Sequence, residues 1–102
     1  MARYRLTRQA EKDYREILEF TLGQWGISQF EKYARSLDSA FERLLTRPQL
    51  GTQCNNIRPG YFRYRMGQHY IFYRINQDVL EIARILHVRR NIKHQLLQDL
   101  DD

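Results

Sequence analysis

The sequence predicts an α+β domain in which a helical hairpin packs on one face of a mostly antiparallel sheet, in the order β-αα-βββ. Apolar side chains recur at helical spacing between residues 7 and 47. Between residues 57 and 87, apolar and aromatic residues form strand-like segments, and the turns that separate them are two or three residues long. Short turns favour hairpins, and a helical pair followed by hairpin-linked strands is typical of an α+β domain.

The length and composition limit the class of protein. A chain of 102 residues with 28% charged and 42% hydrophobic residues predicts a single globular domain, residues 1–102. No window approaches the roughly 18 apolar residues of a membrane span, and the N-terminus lacks the apolar run of a secretory signal. Cys54 is the only cysteine, so no internal disulfide can form, which fits a cytoplasmic protein.

The first half of the chain predicts one short strand and two helices. Arg3 to Leu6 is the strand candidate, and Thr7 is a suitable N-cap for the helix that follows. The apolar face of this helix comprises Ala10, Tyr14, Ile17, Thr21 and Trp25. Glycines 23 and 26 bracket its expected end. An S-x-x-E capping box, Ser28 and Glu31, is expected to start the second helix, which ends before Pro48.

The second half predicts three strands joined by tight turns. Residues 48–56 are expected to form a loop, and Pro59 and Gly60 indicate a turn. One face of the next strand comprises Phe62, Tyr64 and Met66, and Arg63 and Arg65 lie on the other. The almost wholly apolar segment 70–75 is expected to be a central strand, and residues 79–87 form the last one. Asn91 is a candidate cap for a short C-terminal helix that carries Ile92, Leu96 and Leu97.

Positive charge is concentrated in the strand half. Residues 57–94 carry a net charge of +6, against +2 for residues 1–56, and 14 of the 17 basic residues of the chain are arginines. Such an excess predicts an acidic partner without choosing between nucleic acid, a ribosome and an acidic protein. The candidate target-binding residues are Arg58, Arg63, Arg65, Arg74, Arg84, His87, Arg89, Arg90, Lys93 and His94.

Two parts of this basic set allow more than one interpretation. Arg84 lies within an apolar strand and needs a carboxylate or phosphate partner, so it forms either a salt bridge to a helix acid such as Glu16 or Glu19 or part of a functional site. Residues 87–94 form either a binding surface or, through proton transfer by histidine, an RNA-cleaving site.

The sequence predicts neither a metal site nor a cofactor. The three histidines lack close metal-ligand partners, there is no second cysteine, and no H-E-x-x-H motif is present. A phosphate-binding loop of the G-x-x-x-x-G-K-S/T or G-x-G-x-x-G type is also absent from the sequence.

Six short blocks carry a family resemblance across most of the chain. They are Leu6-Thr7-x-x-Ala10-x-x-Asp13, Trp25-Gly26, Pro48-x-x-Gly51, Ile57-Arg58-x-Gly60-Tyr61, Gly67-x-His69-x-Ile71-Phe72-Tyr73-Arg74 and Ile85-Leu86-His87. In this order they resemble the ParE toxins of the RelE/ParE superfamily. The resemblance implies the same β-αα-βββ fold and a toxin of a type II toxin–antitoxin pair. The toxin would poison DNA gyrase stoichiometrically, without being an enzyme, and so block replication.

The resemblance also implies a cognate antitoxin that is ParD-like, acidic and partly disordered. Such an antitoxin would pack along the helical hairpin and the sheet as it folds. The candidate antitoxin-binding residues are Tyr14, Leu18, Leu22, Phe30, Tyr33 and Leu37. Direct contact of the toxin with nucleic acid is left open.

One departure from the ParE pattern keeps two alternatives open. ParE sequences often continue after the Ile-Leu-His block with a small polar or basic residue and Met-Asp, whereas this chain has Val88-Arg89-Arg90-Asn91. The first alternative is a RelE-like ribosome-dependent mRNA endonuclease. It would depend on His87 or His94 with Arg84, because no tyrosine follows Tyr73. The second is a basic binding module without toxicity.

Overall fold

The computed structural model of the chain describes residues 3–90. The strands are β1 (Arg3–Leu6), β2 (Thr52–Gln53), β3 (Phe62–Met66), β4 (His69–Asn76) and β5 (Val79–His87), and the helices are α1 (Arg8–Trp25) and α2 (Ile27–Thr46). The strands form one sheet in the order β1-β5-β4-β3-β2, in which β1 runs parallel to β5 and the other neighbours pair antiparallel. The predicted α+β fold is confirmed, with β2 as an additional edge strand.

A single glycine joins the two helices into the predicted hairpin. Gly26 has a φ of 89°, and its N–H donates to the carbonyl of Leu22 to close α1. Glycine adopts this left-handed φ without the steric cost of a Cβ atom. The helices run antiparallel, because Tyr14 near the start of α1 donates a hydrogen bond of 2.9 Å to Asp38 in the second half of α2.

The expected boundary of α2 is wrong by a small amount. The helix begins at Ile27 with Gly26 as its N-cap and has no side-chain cap, so Ser28 and Glu31 do not form a capping box. Gly23 lies inside α1, since the helix continues to Trp25. The one-residue connection explains both differences, because Gly26 ends the first helix and starts the second. By contrast, Thr7 does cap α1, and its hydroxyl accepts from the Ala10 N–H at 3.1 Å.

The two helices cover one face of the sheet and form the main core with it. Leu37, Phe41 and Leu44 from α2 pack there against Ile71 and Tyr73 of β4. The opposite face, which we call the open face, has a smaller apolar cluster under the segment 54–61. This cluster comprises Cys54, Tyr61, Phe72, Ala83 and Leu86. Strand alternation in β3 follows the prediction, because Phe62, Tyr64 and Met66 face the helices.

Residues 48–53 are more ordered than the loop expected for them. Pro48–Leu50 is a 3-10 helix, and β2 pairs with β3 through Thr52 and Gln53. The Tyr73 hydroxyl donates to the Pro48 carbonyl at 2.6 Å and accepts the Gly51 N–H at 2.9 Å. A Cβ atom at position 51 would collide with that hydroxyl and with the Arg63 carbonyl, so the close approach requires glycine.

Within residues 3–90, neither helix is long and apolar enough to cross a membrane. The C-terminal helix expected from Asn91 lies outside the described residues, as do the candidate target-binding residues Lys93 and His94.

Candidate interaction surfaces

Arg84 is buried and belongs to the interior, not to a surface. Its side chain is 4% exposed, and its Nε and Nη2 groups donate to the two carboxylate oxygens of Asp13 at 2.8 and 3.0 Å. The alternative in which Arg84 forms a salt bridge to a helix acid is confirmed, but the acid is Asp13 and not Glu16 or Glu19. The expectation that Arg84 forms part of an exposed basic surface is wrong. Glu16 and Glu19 are exposed on α1, whereas Asp13 faces the sheet.

Asp13 also provides a hydrogen-bond acceptor for the part of β5 that extends beyond β1. Strand β1 ends at Leu6, opposite Ile82, so the next backbone groups of β5 lack a strand partner on that side. Thr7 continues the pairing by donating its N–H to the Ile82 carbonyl and its hydroxyl to the Ala83 carbonyl. Asp13 then accepts the Ile85 N–H at 3.0 Å. One carboxylate thus satisfies a buried strand edge and a buried guanidinium.

The open face of the sheet is strongly basic. Tyr4 and Leu6 of β1 face the helices, so Arg3 and Arg5 alternate onto the open face. The arginines of this face are Arg3, Arg5, Arg58, Arg63, Arg65 and Arg74. Four of them are among the predicted target-binding residues. The two in β1 were missed, although the alternation Arg3-Tyr4-Arg5-Leu6 in the sequence contains the signal.

Among residues 3–90, the open face carries one buried carboxylate, which two of these arginines share. Glu81 is 3% exposed and lies between its neighbours Arg5 on β1 and Arg74 on β4. Arg5 contacts one oxygen of Glu81, and the Nε of Arg74 donates to the other at 2.7 Å. The hydrogen bond to Glu81 is the main reason that the pKa of Arg74 is raised. Because one negative charge meets two positive charges, the group of Arg5, Glu81 and Arg74 keeps a net positive charge.

Aromatic rings contact three guanidinium groups of the open face, including that of Arg74. The Arg63 guanidinium lies 4.8 Å from the centre of the Tyr70 ring, and those of Arg58 and Arg74 lie 5.8 and 5.5 Å from the centre of Tyr61. Tyr61 itself is only 5% exposed. Cation–π contacts of this kind restrict the rotamers of the arginines without neutralising their charge.

The C-terminal end of β5 forms a second basic region, which we call the basic end: His87, Arg89 and Arg90. Arg89 and Arg90 are exposed, and the Arg89 N–H donates to the Nδ1 of His87 at 3.1 Å. His87 is paired across the sheet with His69, and their ring centres are 5.4 Å apart. All three residues of the basic end were predicted from the sequence.

His69 is held neutral beside the basic end. Its Nδ1 lies 2.6 Å from the hydroxyl of Tyr33 on α2. Burial of the His69 ring is the main cause that lowers its pKa from 6.5 to about 4, the nearby charge of His87 adds to the effect, and Asp13 opposes it. Burial likewise raises the pKa of Tyr33, partly offset by a hydrogen bond from the Gln68 backbone. The pair is therefore uncharged at neutral pH.

Lowering the pH from about 7 to about 5 is expected to lower the melting temperature of the wild type more than that of His69→Gln. His69 gains a proton in the unfolded chain as the pH falls below 6.5, whereas in the folded chain it stays neutral until about 4. The stability tied to neutral His69 is thus complete above pH 6.5 and is lost as the pH falls towards 4. Glutamine keeps an acceptor for Tyr33 but does not titrate. Thermal melts of both proteins measure this, and parallel pH dependences would contradict it.

A groove between the helical hairpin and the end of β5 lies beside His69 and His87. We call it the β5 groove; its volume is about 630 Å³, and Tyr33, His69, His87 and Arg90 all line it. Phe20 and Trp25 of α1 line it as well and are 64% and 68% exposed. Large apolar side chains at this exposure are typical of surfaces that bind a partner.

A second groove, of about 590 Å³, lies between the hairpin and β1. We call it the β1 groove, and it is lined by Tyr14, Leu18, Leu22 and Phe30, four of the six candidate antitoxin-binding residues. Leu22 is 44% exposed at its rim, whereas Leu18 is 8% exposed and forms part of its floor. Leu37 is fully buried in the main core, so the expectation that it lies on an antitoxin-binding surface is wrong.

Comparison with known protein families identifies the family of this chain. A family model described as "ParE toxin of type II toxin-antitoxin system, parDE" matches residues 4–92, which include every helix and strand of the fold except Arg3, the first residue of β1. The chain belongs to the ParE toxin family. It is thus a toxin of a type II toxin–antitoxin system, as its sequence blocks predicted.

Relatives of this ParE toxin match it over nearly their whole length. Toxin ParE1 of Caulobacter vibrioides is 38% identical over 96 residues, which cover 94% of this chain and 99% of the relative. Toxin ParE1 of Mycobacterium tuberculosis strain H37Rv is 35% identical over 96 residues, which cover 93% of this chain and 98% of the relative. Toxin ParE of Escherichia coli is 30% identical over 102 residues, 98% of each chain.

A solved structure shares the fold of this ParE toxin. A chain of the "Chromosomal ParDE TA system from P. aeruginosa" superposes with a TM-score of 0.74. The superposition covers 87% of this chain and 97% of the solved chain, at 19% sequence identity. The similarity therefore shows that the two chains share an arrangement of helices and strands.

Proposed function

We propose that this ParE toxin inhibits DNA gyrase in the cytoplasm, as a stoichiometric poison and not as an enzyme, and that a ParD-like acidic antitoxin neutralises it. Membership of the ParE family over residues 4–92 is the observation that carries the proposal. The basic end and the open face supply exposed positive charge for the target complex. The hairpin supplies apolar grooves for the antitoxin.

The buried pair of Arg84 with Asp13 bears on the ribonuclease alternative. A RelE-like site in this chain was expected to combine Arg84 with His87 or His94. Arg84 is 4% exposed and donates two hydrogen bonds to the Asp13 carboxylate, so it does not present its guanidinium to a substrate phosphate. His87 and the exposed arginines beside it form a binding region without that partner. This arrangement favours a protein that acts by binding.

A supercoiling assay tests the gyrase proposal. Purified toxin in excess over gyrase is expected to stop the supercoiling of relaxed plasmid and to trap cleaved DNA. Normal supercoiling at excess toxin would falsify the proposal. Cut message in a translating extract, with gyrase unaffected, would instead support the ribonuclease alternative.

The double variant Arg89→Gln/Arg90→Gln is expected to need roughly tenfold more protein for half-inhibition of gyrase. Both side chains are exposed at the basic end, so their removal takes away target contacts without disturbing the core. The matched control is Arg8→Gln/Arg35→Gln, which removes two exposed charges from the helices. We expect the control to inhibit like the wild type; equal losses in both variants would mean that net charge alone matters.

Replacing Leu22 with arginine is expected to weaken antitoxin binding about 100-fold. Leu22 is exposed at the rim of the β1 groove, where a partner helix would bury it and where a buried unpaired guanidinium would be costly. Calorimetric titration with the purified cognate antitoxin measures the affinity. Ser39→Arg is the control, because Ser39 is exposed on α2 and lines neither groove. Unchanged affinity for Leu22→Arg would place the antitoxin elsewhere.

A further inference from the structure

We propose that the open face of the sheet binds the phosphate backbone of duplex DNA. The inference rests on the proposed function, since gyrase acts on duplex DNA and a toxin bound to the gyrase–DNA complex lies beside that duplex. It assigns the open face to the nucleic acid and leaves the basic end to the enzyme.

The charge balance of the open face is the first reason. Six arginines lie on it, and Glu81 is the buried carboxylate among them. Glu81 is shared by Arg5 and Arg74, so it neutralises at most one of the two. Neighbouring strands of the sheet are about 4.8 Å apart, so the backbones of Arg5 on β1 and Arg74 on β4 lie roughly 10 Å apart on either side of β5. Their guanidinium groups converge on Glu81, and the excess of positive charge on this face of the sheet suits a polymer of phosphates.

The chemistry of the side chains is the second reason. All six cations are arginines, whose planar fork binds phosphate oxygens through two donors at once. Glu81 and the rings of Tyr61 and Tyr70 hold several of them in place before any ligand arrives. Such arginines lose less conformational freedom on binding than unsupported ones do.

The state of the aromatic rings favours a duplex over a single strand. Single-stranded nucleic acid binds by stacking its bases on open aromatic faces. Here Tyr61 is 5% exposed, and the Arg63 guanidinium lies over Tyr70. The rings of the open face therefore support arginines and are not available as stacking platforms. Contacts to a phosphate backbone remain, and these are independent of base sequence.

Anisotropy titrations of a labelled duplex with the full-length toxin test the proposal. With about four phosphate contacts, the logarithm of the association constant should fall with the logarithm of salt concentration at a slope of about −3.6, between about 50 and 200 mM salt. Arg63→Gln/Arg65→Gln should reduce the steepness of that slope by about two, whereas Arg8→Gln/Arg35→Gln on the helices should leave it unchanged. Circular dichroism melts verify that both variants fold.

Three results would overturn the inference: no binding at about 50 mM salt, an equal change of slope in both double variants, or displacement of DNA by poly-glutamate at matched charge. The last would assign the open face to an acidic protein. The supercoiling assay separates this proposal from the one on which it rests. Gyrase inhibition without DNA binding would remove the DNA-binding inference alone, and DNA binding without gyrase inhibition would remove the proposed target.

Discussion

Replacing Asp13 with asparagine is expected to lower the free energy of unfolding by about 3–5 kcal/mol. The carboxylate is the charge partner of Arg84, and the two side chains are 10% and 4% exposed. Asparagine has nearly the same shape and keeps one oxygen for the Ile85 N–H, so the substitution removes mainly the charge. Arg84 would then remain in the interior without the negative charge of Asp13, and removing one member of a buried ion pair costs more than the intact pair contributes.

Urea denaturation followed by far-UV circular dichroism measures this loss. Glu16→Gln is the matched control, because it removes an exposed carboxylate one turn further along α1 and should change stability by less than about 0.5 kcal/mol. The double variant Asp13→Leu/Arg84→Met should recover part of the loss, since it removes both buried charges. A similar stability for Asp13→Asn and wild type would show that Arg84 does not depend on this carboxylate.

Leu37→Ala is expected to destabilise the toxin by about 3 kcal/mol. Leu37 is 0% exposed and packs in the main core with Phe41, Ile71 and Tyr73. Truncation would leave a cavity between α2 and the sheet, and the loss combines the missing apolar burial with the missing contacts around that cavity. The sequence had suggested Leu37 for the antitoxin interface. Its complete burial in the core is the reason that the expected loss of stability is large.

Leu22→Ala is the matched control for Leu37→Ala, because both substitutions truncate a leucine of the helical hairpin. Leu22 is 44% exposed, so its truncation should change stability by less than about 0.5 kcal/mol. The same denaturation experiment compares the two variants. If Leu37→Ala were as stable as wild type and yet failed to bind antitoxin, the assignment of Leu37 to the core would be wrong.

Most elements of the fold could be predicted because their signals are local. Apolar spacing placed both helices, and strand alternation placed Phe62, Tyr64 and Met66 towards the helices and Arg63 and Arg65 on the open face. The errors were local as well. Gly26 satisfies the ends of both helices, so the capping box did not form, and the two-residue strand β2 is too short for a period to be visible.

The face taken by each residue of β5 could not be predicted in the same way. A β-bulge shifts the register, so that Phe72 pairs with Arg84 while Tyr73 pairs with Ile82. Leu80, Ile82 and Ile85 face the helices, whereas Ala83 and Leu86 belong to the cluster on the open face. Regular alternation would have placed Ile82 and Leu86 on the same face. A bulge depends on contacts with neighbouring strands and leaves no mark in the period of a single segment.

The sequence by itself determined the order of elements, the basic strand half and the family, because each depends on residue types at short spacing. The tertiary structure decided which charges are available. Arg84 and Asp13 are 71 positions apart in the sequence and meet only when α1 packs on β5. Burial then made one arginine a structural residue, while six others remained on the open face. Long-range packing determines the solvation of a charge, and solvation determines whether that charge can bind a partner.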